Sequence, residues 1–328
     1  MAQDVAGTPA VWRAQCMGCS QAGCQYKAGT SQSAKVVAVR PKRLASRVNL
    51  VLPEHWKSNL KDVPFRICVD CDKEQSDEMV NVQHLLDKTL SQESGTRLKI
   101  ERMVRVEDSN MWTLYERSIN YVSETRSTLD QPPKVISTPR GSPQSPPLTT
   151  RQLPLEFAER LRDEANETYL WHGTDRASAE SIIKEDFNIK RAGEAHAKAL
   201  GRGAYFAESA SLADHYATPG PDGLHALLLV RAALGKVFVT KRYTGWRGHK
   251  LVRLVSTTKL VRKGRFDSVL GDRNVAFNGL DIREYCVANS NQCYPEYMVL
   301  YSRHDRSAKL EGTVPVHGTC PPGRVPDS

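Results

Sequence analysis

The chain has 328 residues, 40% of them apolar, 25% charged and 7% aromatic, with a formal net charge of +9. These proportions exclude wholesale disorder, a collagen and a coiled coil, and the length suits one large domain with a small one, or two of medium size. The best apolar run, Leu224 to Leu234, contains Arg231 and falls short of the ~18 residues that a membrane helix needs.

The start, Met-Ala-Gln-Asp-Val, has no basic stretch followed by an apolar one, which gives an intracellular expectation, nuclear or cytoplasmic. In that compartment the eight cysteines are expected as thiols or metal ligands rather than disulfides. Up to Arg66 there are ten basic and three acidic residues, and five of the cysteines, Cys16, Cys19, Cys24, Cys68 and Cys71, fall near this end. Residues 1–77 therefore read as a small basic module. Cys16-x-x-Cys19 and Cys68-x-x-Cys71 are two knuckle-like pairs that together would supply a tetrahedral zinc site of four thiolates. Its positive charge suits nucleic acid or another polyanion.

From residue 79 the pattern is that of a folded mixed domain. Val82, Leu85, Leu86 and Leu90 fall at helical spacing, and Lys99 to Val106 alternates as a strand does. Ser109 is placed to cap a helix whose buried stripe is Met111, Trp112, Tyr115, Ile119 and Val122. Residues 127–154 are rich in Pro, Ser, Thr and Gln, with almost nothing to bury, and read as a flexible insertion. A second folded block follows. It is expected as a strand at 168–171, helices at 178–185 and 210–217, a loop at 188–203, and last strands near 284–289 and 296–302. Residues 304–328 read as a disordered tail.

Three segments carry chemistry: Leu170-Trp171-His172-Gly173-Thr174, Gly201-Arg202-Gly203-Ala204-Tyr205-Phe206-Ala207-Glu208, and Arg283-Glu284-Tyr285-Cys286-Val287 with Tyr294-Pro295-Glu296-Tyr297 beyond it. Singly, each fits a strand end, a tight turn with core aromatics, or a solvated carboxylate. The glycine turn matches neither a dinucleotide fingerprint nor a P-loop.

Together and in this order the segments resemble the poly(ADP-ribose) polymerase catalytic domain, over roughly 79–303 with 127–154 as an insertion, and the closing segment is most similar to the tankyrase branch. The resemblance implies an α+β fold, two mostly antiparallel sheets flanking an NAD+ cleft with peripheral helices. It implies an NAD+-dependent ADP-ribosyltransferase, poly or mono, that modifies protein acceptors including itself. The family's triad carries over to His172, Tyr205 and Glu284. The histidine would hydrogen-bond the adenosine ribose, and Tyr205 and Tyr216 would sandwich the nicotinamide. Gly173 would hold its carboxamide, Thr174 would add a ribose contact, and Glu284 would face the ribose 2′-hydroxyl. Glu296 is the second Glu-Tyr candidate.

The loop 188–201, with Arg191, His196 and Lys198, would form the lid over the donor. Where the family usually has a carboxamide-binding serine this chain has Ala213, with Ser211 and Ser209 nearby. Residues 186–225 hold no cysteine, so the tankyrase-type zinc of that region is not expected. Two other readings stand beside the enzyme. One is a decayed module that holds NAD+ or ADP-ribose without turnover. The other is a zinc-dependent nucleic-acid adaptor, with the second block as passenger.

Overall fold

The computed structural model describes residues 35–37, 51–58, 64–71, 76–91, 95–127, 146–189, 200–240, 266–277 and 280–305. Ten strands form one hydrogen-bonded sheet among them: β1 Lys35–Val37, β2 Arg66–Asp70, β3 Thr96–Asp108, β4 Glu167–Thr174, β5 Ala204–Ala207, β6 His225–Ala233, β7 Val237–Thr240, β8 Ser268–Phe277, β9 Leu280–Val287 and β10 Cys293–Asp305. Their order across the sheet is β1-β2-β3-β10-β6-β4-β5-β9-β8-β7. Every pairing is antiparallel except β7 with β8. The two sheets expected from the resemblance are visible as two halves, joined where β4 meets β5 through a single pair, Trp171↔Ala207.

The apolar run at 224–234 is the central strand. All nine residues of β6 are buried, because both faces of the sheet are covered there, and such a strand shows no alternation. On one face Leu227 and Leu229 pack with Tyr169, Trp171, Tyr297 and Val299 beneath Val82, Leu85 and Leu86 of helix α1, Asp77–Thr89. On the other, Leu228 and Val230 pack with Leu170 and Met298 against Ala179 and Ile183 of helix α5, Arg176–Glu185. Side chains that alternate along a strand reach opposite faces, so both clusters draw on the same strands.

Helix α2, Ser109–Ser127, buries the expected stripe, and two short helices, α3, Leu148–Gln152, and α4, Leu155–Ala158, come before β4. Its cap differs from the expectation. Asp108 Oδ1 accepts from the backbone N–H of Asn110 and of Met111, each at 2.9 Å. The Ser109 hydroxyl is used elsewhere, accepting from Phe65 N at 2.9 Å and donating to Phe65 O at 3.2 Å. A carboxylate also complements the positive end of the helix dipole, which a hydroxyl does not.

The sequence reading places 1–77 apart from the folded block; in the structure residues 51–58 and 64–71 pack into the same core. Strand β2 pairs with β3 over five residues, from Arg66↔Asp108 to Asp70↔Val104. Trp56, Phe65, Ile67 and Val69 are buried with Trp112, Tyr115 and Tyr294. Trp56 meets Trp112 edge-on at 5.5 Å and Trp112 meets Tyr294 edge-on at 5.1 Å, an arrangement favoured by ring quadrupoles. Lys57 N and Ser58 N donate to the two oxygens of buried Glu107, at 2.9 and 3.0 Å. Period-2 burial in a five-residue strand, read beside a charge excess, is a weak signal, so β2 escaped the sequence reading.

Of the expected zinc ligands, Cys16 and Cys19 lie outside the described residues. Cys68 and Cys71 do not converge on one ion. Cys68 packs against the cluster on one face of the sheet, and Cys71 belongs to the cluster on the other. Burial, and then the nearby Glu78 carboxylate, push the Cys71 thiol up to about 12, whereas zinc takes the thiolate. Among the described residues no group of three or more His, Cys, Asp or Glu is placed to hold a metal. No helix among them is long and apolar enough to cross a membrane.

Candidate active site

Strand β4 leaves the sheet interior at its C-terminal end. Residues Glu167 to Trp171 are buried, and His172, Gly173 and Thr174 are half-buried. Strands β4 and β5 share only the Trp171↔Ala207 pair, so the two chains separate beyond it and the His-Gly-Thr segment lines the opening. Asp175 then caps α5 by accepting from Ser178 N at 2.9 Å. A strand end followed at once by a capped helix holds its last side chains in a fixed place.

His172 is set by three neighbours. Its Nδ1 lies 2.7 Å from the Tyr205 carbonyl, so Nδ1 carries the proton and donates. Phe187 and Phe206 flank the ring at 5.2 and 5.7 Å. Burial pushes the imidazole below its ordinary range, against the Tyr205 carbonyl, which favours the protonated form. The neutral tautomer leaves Nε2 with a lone pair. That suits acceptance from a hydroxyl and not service as a permanent cation.

Tyr205 is fixed at its far end. Its hydroxyl donates to Gly201 O at 2.7 Å and accepts from Leu200 N at 2.9 Å, so the glycine turn and the aromatic residue four positions on form one closed loop. Burial pushes this hydroxyl up, with Cys286 adding to the effect. The ring is half-buried beside Leu200, Val269 and Cys286.

Glu284 lies across the β5–β9 ladder. The register is Tyr205↔Cys286 and Ala207↔Glu284, so Tyr205 and Glu284 project from the same face as diagonal neighbours, about 7–8 Å apart at Cα. The carboxylate residue is 8% exposed. His172, Tyr205 and Glu284 thus stand on three strands, β4, β5 and β9, that Ala207 ties together through its pairs with Trp171 and Glu284.

Gly173 sits on the short helix α6, Ala210–His215, whose Ala213 carbonyl oxygen would lie 1.7 Å from a Cβ at 173. The sequence reading gives the glycine to a close-approaching ligand; the structure adds that the helix backbone already occupies the side-chain space. Gly173→Ala is therefore expected to displace α6 and lower stability by about 1–3 kcal/mol, read as the midpoint of a denaturant titration. Ala213 itself is buried in the core. The nearby serines are engaged with residues 89–91: the Ser211 hydroxyl accepts from Ser91 N at 2.6 Å, and the Ser209 hydroxyl donates to Thr89 O at 3.1 Å. Tyr216 follows α6 as its C-terminal cap. Of the lid, residues 190–199, with Arg191, His196 and Lys198, lie outside the described residues.

The second Glu-Tyr pair is placed differently. Glu296 is fully buried on β10. One oxygen lies 2.5 Å from His55 Nε2 and 3.8 Å from Arg160; the other accepts from the Tyr169 hydroxyl at 2.5 Å. Burial would push its carboxyl up, but His55, Arg231 and Arg160 outweigh that and bring it down to about 2. Stability tied to a depressed carboxylate is complete above its ordinary value, 4.5, and is lost as the pH falls toward 2. Acid unfolding followed by tryptophan fluorescence is expected across that window, with a contribution on the order of 3 kcal/mol from this group. A transition above pH 6 would contradict it.

Two charged residues that sequence reasoning quoted without a role also converge here. Arg283 Nη1 donates to Glu208 Oε2 at 2.9 Å, and both are buried. Their signal was an acid and a base each next to a residue of interest on an apolar strand, which is legible only once the register of β5 and β9 is known.

A profile of the Poly(ADP-ribose) polymerase catalytic domain matches residues 76–303. The chain is 29% identical over 181 residues to the Poly [ADP-ribose] polymerase tankyrase of Caenorhabditis elegans, covering 48% of this chain and 8% of that protein. It is 24% identical over 254 residues to the human Protein mono-ADP-ribosyltransferase PARP14, covering 77% of this chain and 11% of that protein. The chain thus spans about a tenth of the length of these relatives. With the profile match over most of its length, the chain belongs to the poly(ADP-ribose) polymerase catalytic domain family.

Proposed function

We propose that the chain is an NAD+-dependent protein ADP-ribosyltransferase. The observation that supports this reading is that Ala207 pairs with both Trp171 of β4 and Glu284 of β9, which joins the strands carrying His172, Tyr205 and Glu284, with His172 Nδ1 on the Tyr205 carbonyl. The neutral His172 would accept from a hydroxyl of the adenosine ribose at Nε2. Tyr205, pinned through its hydroxyl, offers a ring face to nicotinamide, with Tyr216 on the other side. Gly173 and Thr174 present backbone at the cleft wall.

In the reaction the C1′–N bond breaks, and its electron pair leaves with nicotinamide as a neutral molecule. The ribose becomes oxocarbenium-like, as in glycoside hydrolysis. A nucleophilic acceptor atom then bonds to C1′ and gives up its proton. Glu284, hydrogen-bonded to the 2′-hydroxyl, would stabilise the positive charge as it builds. The interaction is stronger in the transition state than in the ground state, which is the condition for acceleration. Ala213 removes one carboxamide hydrogen bond that the family usually has, and Ser209 and Ser211 are spent on residues 89–91. Donor affinity should be weaker by about 0.5–1.5 kcal/mol for that bond.

Incubation of the full chain with labelled NAD+ followed by a denaturing gel tests the reading. A high-mass smear means chain elongation, and a sharp band means single-unit transfer. NAD+ binding without label would favour the decayed-site reading. The basic character of the first 66 residues supports a polyanion partner, nucleic acid or poly(ADP-ribose). Binding that weakens steeply with salt is then expected.

A further inference from the structure

The β5–β9 ladder ends at Ala207↔Glu284. Ala207 also carries the single pair that joins β5 to β4. All three strands of the proposed site are therefore tied together at one residue, at the very end of a four-residue strand. Beyond Ala207 the pairing of β5 with either neighbour stops, and the chain turns toward α6 at Ala210. The end of a short ladder opens readily unless something else holds it.

Here a side-chain bond takes over. Glu208 follows Ala207 and Arg283 precedes Glu284, so the two lie opposite each other one step past the last backbone pair. Arg283 Nη1 donates to Glu208 Oε2 at 2.9 Å, with the side chains 7% and 6% exposed. The same oxygen accepts from Leu148 N at 2.9 Å, which brings the start of helix α3, Leu148–Gln152, to the same point. A buried ion pair is a poor device for stability alone, since apolar residues of equal volume do as well or better. What it adds is register. Side chains alternate along a strand, so a one-residue slip of β9 against β5 would turn the Glu284 carboxylate to the opposite face.

We infer that Glu208 and Arg283 are positioning residues for Glu284: the buried pair locks β5 and β9 in register at the end of their ladder and so places the carboxylate beside Tyr205. Arg283 projects from the opposite face of the strand to Glu284, so the pair acts through the backbone and not by touching the substrate. This inference rests on the reading of Glu284 given above.

The test uses the full chain and compares Glu208→Gln, Arg283→Met and Arg283→Lys with the wild type, measuring nicotinamide release as kcat and KM together with the melting temperature. In Glu208→Gln and Arg283→Met, kcat is expected to fall by roughly ten- to a hundred-fold. The KM for NAD+ should be nearly unchanged, because His172 and Gly173 stay in place on β4. Arg283→Lys, which keeps the charge at shorter reach, should recover part of the lost kcat. A folded Glu208→Gln chain with wild-type kcat overturns the inference, whatever its melting temperature. So does a kcat that falls only in step with the loss of folded protein. If the Gln and Met chains do not fold, Arg283→Lys decides: lowered kcat at unchanged KM supports the positioning role, and wild-type kcat overturns it. A wild-type chain that binds NAD+ and releases no nicotinamide overturns the proposed function, and this inference with it.

Discussion

Replacing Glu284 with Gln is expected to slow nicotinamide release and ADP-ribose transfer by roughly 10²–10³-fold. The amide keeps the size and one acceptor oxygen but loses the charge. Ground-state contacts to a neutral 2′-hydroxyl need little of that charge. The transition state, with positive charge on the ribose ring, needs all of it. The loss should therefore appear in kcat, with NAD+ binding almost intact. Glu296→Gln is the comparison. It removes the anion that His55, Arg160 and Tyr169 surround, so its effect should appear in thermal stability. If the Glu296 chain lost turnover at unchanged melting temperature while the Glu284 chain did not, the assignment of the two glutamates would be reversed.

A chain that starts at residue 76, where the family match begins, is expected not to fold into a stable domain, whereas one that starts at Val51 should. The shorter chain lacks Trp56, Phe65, Ile67 and Val69, all buried against α2 and β10. It also exposes Trp112, Tyr115 and Tyr294 and leaves β3 without β2. It removes His55 from the buried carboxylate of Glu296 and the two backbone donors from Glu107. Deleting one large buried aromatic costs about 3–5 kcal/mol, and a whole domain is stable by only about 5–15 kcal/mol. The chain from Val51 loses only the three-residue edge strand β1 among the described residues. Circular dichroism and gel filtration of the two chains decide the matter. A monodisperse, cooperatively melting chain from residue 76 would show that the segment 51–71 is dispensable.

What could be read in the sequence was local. The apolar stripes of α1 and α2, the strand ending in His172, and the glycine turn into Tyr205 each follow from periodicity or turn chemistry within a dozen residues. Their meeting does not. That Tyr205 and Glu284 share a face depends on a register between segments nearly eighty positions apart. No single-segment pattern encodes it; the order of motifs shared with the family supplied it. The same limit explains where the structure departs from the local reading. Cys68 and Cys71 have ligand-like spacing, yet Cys68 lies on β2 and Cys71 just past its end, and the two pack into the clusters on opposite faces of the sheet. Ser109 is a good cap residue, yet Asp108 is better placed and Phe65, 44 positions upstream, takes the serine. The roles of Glu208 and Arg283 were hidden for the same reason.

The most direct test of the account is the intact mass of the purified full chain after incubation with NAD+, taken with the nicotinamide released. Covalent addition of ADP-ribose units, matched one for one by nicotinamide and lost in Glu284→Gln, is the predicted result. Nicotinamide release with no added mass on the chain or on any offered protein, or no release from a folded chain that binds NAD+, would contradict it.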